Sequence, residues 1–571
     1  MAKKVPLMDY SKNEFAHNLK EMYHTTCQKY GEKIFLTWRN GEVFEHLSFF
    51  AYEGKINAFG TALWAMGYAG KRVAIIGPTR WEYITSYLAV TSSGGTIIPL
   101  DKELQPDQVK GFIELSEADA VIFSSDFKDM ILSFMDGTLT KSPLLIGMDE
   151  PTTTEDIKSY SELVAMGQEL VEGGQRGFLD IEIDNESMAA LLFTSGTTGT
   201  SKGVMLSHKN IATNAYYAGV ATIFNSKMDM MSVLPIHHTY ENVMAFFAAF
   251  MLGTHINICE SVKMVMRSFK IFKPNAMTLV PLFVETMYKK IWDEIEKKGK
   301  TKTVKSAIKA SNAMRKVGID MRRKLFKDVL EAFGGNLNVI ICGGAPLNPD
   351  TIKGFEAFGI DIFQGYGITE CSPLVAVMPQ NIIKPASVGY PVPCVEVIID
   401  KTEGEETGEI LVKGDSVMIG YINNPEATAE VMTEDGFFRT GDIGYLDEDG
   451  FLYITGRKKN VVVLNNGKNI FPEEIEEHLS KCELMAEKIV IGRTLENGTV
   501  ILTALVYPNL EKFTDKDGNV RSSEEMHDAI KAEVMQINKT LPSFKHITEI
   551  ELLETEFEKN TSKKIKRFLY Q

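Results

Sequence analysis

The chain is poor in the features that would place it in a membrane, on nucleic acid or in a disulfide scaffold. No apolar run approaches the roughly 18 residues of a spanning helix, the longest apolar surroundings being residues 243–252. Six cysteines (Cys27, Cys259, Cys342, Cys371, Cys394 and Cys482) are scattered among 571 residues without CxxC spacing. Neither a zinc site nor a disulfide framework is therefore expected. A surplus of positive charge is missing too: 61 Lys and Arg face 76 Asp and Glu, a net charge of −15, which argues against general nucleic-acid binding. The first ten residues hold no apolar leader core. A cytoplasmic protein is expected, and one of this length calls for about two to four domains.

One polar run stands out against an ordinary composition. After the apolar residues 189–193, the ten residues Thr194-Ser-Gly-Thr-Thr-Gly-Thr-Ser-Lys-Gly203 are all Thr, Ser, Gly or Lys. Gly196, Gly199 and Gly203 can take positive φ and let a ligand approach the backbone. Thr194, Ser195, Thr197 and Thr198 bring hydroxyl donors, and Lys202 a fixed positive charge. That combination suits a polyphosphate. A flexible linker would have similar composition, but linkers rarely follow a buried strand and run straight back into apolar sequence. A Walker A loop is excluded, because Gly203 follows Lys202 instead of preceding it.

Around this run, strands alternate with helical stretches. Residues 71–78, 95–100 and 120–125 read as buried strands, residues 81–92 as a helix, and residues 35–46 as a hairpin turning at Asn40-Gly41. That alternation predicts parallel, doubly wound α/β sheets. Residues 134–180 are acidic and turn-rich, a passage between subdomains. Residues 387–456 change to short strands with many glycines, as expected of a small β-barrel. Residues 460–571 form a small α+β unit with helices over 472–480 and 523–541. Residues 289–327 are strongly basic within an acidic chain, either a solvated helix pair or a candidate contact with the inner face of an anionic membrane.

Further motifs share the order of one family. The polar run resembles the phosphate loop of the AMP-binding, adenylate-forming superfamily, with Ser201 where proline is commonest. Val339-Ile-Ile-Cys-Gly-Gly-Ala-Pro346 resembles its adenine-contacting turn. Gln364-Gly-Tyr-Gly-Ile-Thr-Glu370, Phe438-Arg-Thr-Gly-Asp442 and Tyr453-Ile-Thr-Gly-Arg457 resemble three more of its motifs. The resemblance covers about residues 15–568 and implies a large N-terminal domain, residues 1–457. That domain would comprise α/β subdomains at about 1–185 and 186–386 and a β-barrel at about 387–456. A hinge at 458–459 would join it to a C-terminal α+β domain, residues 460–571.

The same resemblance implies roles. Thr194, Ser195, Gly196, Thr197, Thr198, Gly199 and Lys202 would grip ATP phosphates, while Gly343, Gly344 and Ala345 would let adenine lie on backbone. Within Gly365-Tyr-Gly367, Tyr366 would pack on the base, Thr369 would touch the α-phosphate and Glu370 would hold Mg²⁺, which prefers hard oxygen ligands. Asp442 would accept from the ribose hydroxyls, with Arg457 nearby. Lys459 would be the hinge residue and Gly467 would line the channel for coenzyme A. Near the C-terminus, Asn560-Thr-Ser-Lys-Lys-Ile-Lys-Arg567 departs from the family form, since Lys563 replaces a glycine; by register Lys564 is the adenylating lysine, with Lys563 the alternative. Leu234-Pro-Ile-His-His-Thr-Tyr-Glu241 resembles a long-chain acyl-CoA synthetase segment and makes His238 the acyl-pocket residue. Met244, Phe246 and Phe247 would then line a tunnel or belong to the core.

The activity implied is ATP-dependent activation of a carboxylic acid to an acyl-adenylate, then transfer to coenzyme A. A long-chain fatty acid is the preferred substrate. An aryl or shorter acid, a carrier-protein acceptor, and a non-catalytic nucleotide-binding regulator are the alternatives.

Overall fold

The computed structural model describes residues 15–194, 201–222, 224–380, 382–465, 468–480, 482–559 and 564–571. Two large sheets form the N-terminal part. The eight-stranded sheet runs Gly420–Tyr421, Lys202–Ser207, Met188–Thr194, Thr96–Leu100, Arg72–Ile76, Ala120–Phe123, Leu144–Gly147 and Ile157–Ser159. Its strands are parallel from Met188–Thr194 onward. Thr96–Leu100 and Ala120–Phe123 are buried along their whole length, as parallel strands covered by helices on both faces must be.

The second sheet has nine strands with a parallel centre: Asp361–Gly367, Val339–Cys342, Ala276–Leu279, Asp229–Ser232, His255–Ile258 and Ile34–Asn40. The sheets do not divide the chain near residue 185. The early hairpin Ile34–Asn40 and Val43–Ser48 belongs to the second sheet, where Leu36 pairs with Ile256. Met188–Thr194 and Lys202–Ser207 close the first sheet instead. A linear reading misses this because each interleaved segment finds its apolar partner far away in sequence. The expected passage at 134–180 is likewise structured: it supplies the last two strands of the first sheet, Leu144–Gly147 and the edge strand Ile157–Ser159, and the helix Tyr160–Glu172. Strands of three or four residues are too short to show periodicity.

Helix His208–Ala221 starts where its cap dictates. Ser207 Oγ accepts from the Asn210 amide at 3.1 Å, and Asn210 Oδ1 accepts from the Ser207 amide at 2.8 Å. Met244, Phe246 and Phe247 are fully buried, with Phe246 edge-on to Phe35 and Phe247 to Tyr87. They are core. The region expected as a barrel is a four-stranded antiparallel sheet, Val395–Asp400, Gly408–Gly414, Phe438–Leu446 and Leu452–Arg457. The C-terminal unit packs Pro472–Leu479 and Ser523–Asn538 on Met485–Thr494, Val500–Pro508 and Glu549–Leu552. It meets the N-terminal part through charge: Lys289 Nζ lies 3.8 Å from Glu511, and Lys488 attracts Glu285. No described helix is long and apolar enough to cross a membrane.

This topology sets the site. Thr194, Asp101, Gly343, Thr369 and the 233–238 segment all lie at or just beyond the C-terminal ends of parallel strands. That is where open α/β sheets bind ligands.

Candidate active site

At the core of the cleft is an ion pair across two strands. Asp442 and Arg457 face each other in register on Phe438–Leu446 and Leu452–Arg457. Arg457 Nε donates to Asp442 Oδ1 at 2.7 Å, and Tyr366 Oη donates to Oδ2 at 2.7 Å. Asp442 is nearly buried, and its charge holds the Arg457 guanidinium above its ordinary pKa. Burial, then Asp442, pushes the Tyr366 hydroxyl up, so it remains a donor. Among the described residues each carboxylate oxygen thus has one hydrogen-bond partner and lone-pair capacity for one more.

Lys202 and Glu370 meet through a residue that sequence reading passed over. Tyr421, on a two-residue strand paired to Val204, donates to Glu370 Oε1 at 2.9 Å. Its ring lies 4.6 Å from Lys202 Nζ, within cation–π range. Burial and the Glu370 charge raise the Tyr421 pKa, which keeps it protonated. Gly-Tyr after a polar turn carries no periodicity, so only its position reveals it. Among the described residues no hydrogen bond engages Glu370 Oε2, and Glu370 is half-buried. A hard carboxylate oxygen, linked to Lys202 through Tyr421, fits a Mg²⁺ ion shared with phosphates.

The C-terminal unit delivers Lys564 to this cleft. Lys564 is accessible to solvent yet crowded by protein atoms along the cleft walls. Loss of hydration lowers its pKa, Arg457 lowers it further, and Asp442 opposes both. Lys564 also lies near enough to act on His238, whose pKa falls to about 3 through burial, His237 and Lys564. His238 is therefore neutral at physiological pH. His237, which sequence reading left without a role, has its ring centroid 4.1 Å from that of His238, tilted by 49°, and places Nε2 3.4 Å from Asp101 Oδ2. The ligand-type atoms of Asp101, His237 and His238 lie within 4.8 Å of one another. With the Lys564 ammonium alongside, this corner suits an anionic group better than a divalent cation.

Gly344, at φ +89°, and Ala345 are exposed after Val339–Cys342, and Tyr240 Oη pins that strand end by donating to Ile341 O at 2.8 Å. A Cβ on Gly367 would come 2.2 Å from Pro373 O, whereas Gly365 has ordinary clearance. Gly203 is not a loop glycine: it lies in Lys202–Ser207, and a Cβ there would meet Ile422 at 2.6 Å. Thr194 pairs with Lys202 across this hairpin. Lys459 occupies the turn Lys458–Asn460 directly after Arg457, and Lys458 pairs with buried Glu409 at 2.8 Å. Ser195, Gly196, Thr197, Thr198, Gly199, Gly467 and Lys563 lie outside the described residues.

Strand ends, a carboxylate–guanidinium pair and a lysine supplied by a second domain define a two-domain α/β protein with a cleft built for an anionic, phosphate-bearing ligand. The chain belongs to the AMP-binding enzyme family: that family's profile matches residues 23–422, and the profile of the AMP-binding enzyme C-terminal domain matches residues 459–568. It is 27% identical over 535 residues to the long-chain-fatty-acid–CoA ligase FadD15 of Mycobacterium bovis, covering 89% of this chain and 86% of that protein. It is 25% identical to the chloroplastic long-chain-fatty-acid–[acyl-carrier-protein] ligase AEE15 of Arabidopsis thaliana, covering 86% and 76%. Its fold is that of the anthranilate CoA ligase AuaEII in complex with anthranoyl-AMP, at a TM-score of 0.77, 19% identity and 98% coverage of both chains.

Proposed function

We propose that this protein uses ATP to activate a long-chain fatty acid as its acyl-adenylate and then transfers the acyl group to coenzyme A, in the cytoplasm. The observation that carries this reading is the position of Lys564. Arg457 and Asp442 on one side and His238 on the other lie close enough to interact electrostatically with its ammonium, which supports a place for it between bound nucleotide and incoming acid.

In the first step a carboxylate oxygen of the acid attacks the α-phosphorus of ATP. The bond from that phosphorus to the bridging oxygen breaks, and pyrophosphate departs. Both reactants are anions, so the protein must position them and offset their charge. Lys202 and the hydroxyl-rich loop grip the departing phosphates. Glu370 would hold Mg²⁺, which supplies further neutralisation of phosphate oxygens. Asp442 receives ribose hydroxyls on the lone pairs left free by Tyr366 and Arg457, and Lys564 bridges the attacking carboxylate and the α-phosphate. In the second step the coenzyme A sulfur attacks the acyl carbon, AMP leaves with the carboxyl oxygen, and the thiol proton passes to water. Lys459 would be the pivot on which the C-terminal domain withdraws Lys564 between the two steps.

The names of the curated relatives support the long-chain acid. The plant relative acts on a carrier protein, so the acceptor is part of the test. Acid-dependent ATP–pyrophosphate exchange over a panel of acids reads the first step, and thioester formation with coenzyme A or acyl carrier protein reads the second. The Lys564→Ala protein should lose at least about 100-fold in exchange while still binding ATP. Unchanged exchange would remove Lys564 from the chemistry. Exchange greatest with an aryl or short acid would replace the substrate.

A further inference from the structure

The basic stretch separates into two populations once its partners are known. Its arginines turn inward: Arg315 pairs with Glu356 at 2.9 Å, and Arg322 Nη1 donates to Glu356 O at 2.7 Å. Arg323 donates to the carbonyls of Leu337 and Gly335, both at 2.8 Å. These bonds bolt the segment to the protein body. The lysines do not share them. Lys298, Lys300, Lys302, Lys309, Lys316 and Lys324 are exposed and form no ion pair or side-chain hydrogen bond among the described residues.

Helical geometry then sorts these lysines. On Thr301–Arg315, Lys302, Lys305 and Lys309, with Lys316 at the C-cap, fall within a sector of about 60° at about 100° per residue. Residues 297–319 contain eight Lys or Arg and no Asp or Glu. At the end of the helix the chain turns through Gly318, at φ +82°. The Ile319 amide donates to Met314 O at 3.1 Å and the Gly318 amide to Arg315 O at 3.0 Å. This turn holds an apolar knuckle out in solvent: Val317 is 74% exposed, Ile319 52% and nearby Leu325 46%. Exposed lysines alone would be a solvated face. A lysine stripe ending in solvent-facing aliphatic side chains, on an otherwise acidic protein, has a more specific complement.

We propose that this face docks on an anionic lipid bilayer, the lysines lying over the headgroups and Val317, Ile319 and Leu325 entering the acyl boundary. The charge selects an anionic surface, and the apolar knuckle selects one with a hydrocarbon layer beneath it. The use of such docking rests on the long-chain reading above, since it would let the protein collect an acid from the bilayer; the surface itself does not depend on that reading.

The test is co-sedimentation of the full chain with vesicles of phosphatidylcholine alone or mixed with phosphatidylglycerol. The wild type should bind only the mixed vesicles and release from them as salt is raised. At about fivefold in partitioning per lysine, the triple variant Lys302→Glu, Lys305→Glu, Lys309→Glu should lose on the order of 100-fold or more. Val317→Ser with Ile319→Ser should weaken binding several-fold at any salt concentration. Both variants should keep wild-type ATP–pyrophosphate exchange with a soluble acid, which also shows that they fold. Failure of the wild type to bind mixed vesicles, or undiminished binding by the triple variant, overturns the proposal. So does a wild type that ignores vesicles yet binds an acidic polypeptide through these lysines. Vesicle binding without acid-dependent exchange would leave the docking face standing and remove the ligase reading.

Discussion

The cleft and the outer face of the Thr301–Arg315 helix are both built around lysines, in opposite surroundings. Lys564 stands among protein atoms, close enough to Arg457, Asp442 and His238 for each to bear on a titration. The helix lysines face water. Two unit charges 4 Å apart interact by about 1 kcal/mol in water and about 4 kcal/mol at the effective dielectric near a protein surface. The same side chain is therefore a precise instrument in one place and one member of a diffuse field in the other. Single substitutions should be severe in the cleft and slight on the helix, where only the stripe as a whole matters.

The largest effect beyond Lys564 is expected at Glu370. Glu370→Ala removes both the proposed metal ligand and the acceptor of the Tyr421 hydroxyl. Turnover should fall by about 100-fold or more, and added Mg²⁺ should restore only part of it. A normal Mg²⁺ titration would place the ion elsewhere. Tyr421→Phe is milder, because the ring over Lys202 remains and only one charge-assisted hydrogen bond is lost. A loss of about tenfold in exchange is expected, with ATP binding little changed. A wild-type rate would show that Glu370 needs no positioning.

This gradient also explains what could be read in advance. The motif residues Tyr366, Asp442 and Arg457 were legible because each carries chemistry in a recognisable local pattern, and the fold brings them together within hydrogen-bond distance. Lys564 was singled out by register alone, despite the missing glycine, and the fold brings it near enough to Arg457, Asp442 and His238 to interact with each. Tyr421 and Asp101 were not, since each acts through a partner far away in sequence, Glu370 in one case and His237 in the other. The alternation of strands and helices predicted doubly wound sheets, but not that the hairpin at Ile34–Ser48 would join the later sheet. Nor could apolar content separate Phe246 and Phe247 as core from tunnel lining; their contacts with Phe35 and Tyr87 do.

Glu241 extends the comparison to a buried carboxylate whose side-chain hydrogen-bond partners among the described residues are the hydroxyls of Ser232 and Thr278. It is fully buried, and burial raises its pKa to about 7 despite hydrogen bonds from Ser232 and Thr278. The folded state thus holds a proton that the unfolded chain releases at the ordinary carboxylate pKa of 4.5. Its contribution to stability is present at low pH and is lost as pH rises through about 7. Glu241→Gln, which cannot ionise, should have a urea midpoint near that of the wild type at about pH 5 and an advantage that grows by about pH 8. Parallel midpoints across that range would mean that Glu241 ionises normally.

The smallest effect is expected from a single charge reversal on the stripe. Lys309→Glu alone leaves Lys302, Lys305 and Lys316 in the same sector, and its new carboxylate has Lys305 one helical turn before it and Lys316 two turns after it. Exchange with a soluble acid should be unchanged. Partitioning to anionic vesicles should fall by about fivefold to thirtyfold, the effect of one lost and one opposed charge near the surface, and the difference from wild type should shrink as salt screens the field. If Lys309→Glu instead abolished vesicle binding at every salt concentration, Lys309 would be a specific headgroup contact, and the helix would share the all-or-none character of the cleft.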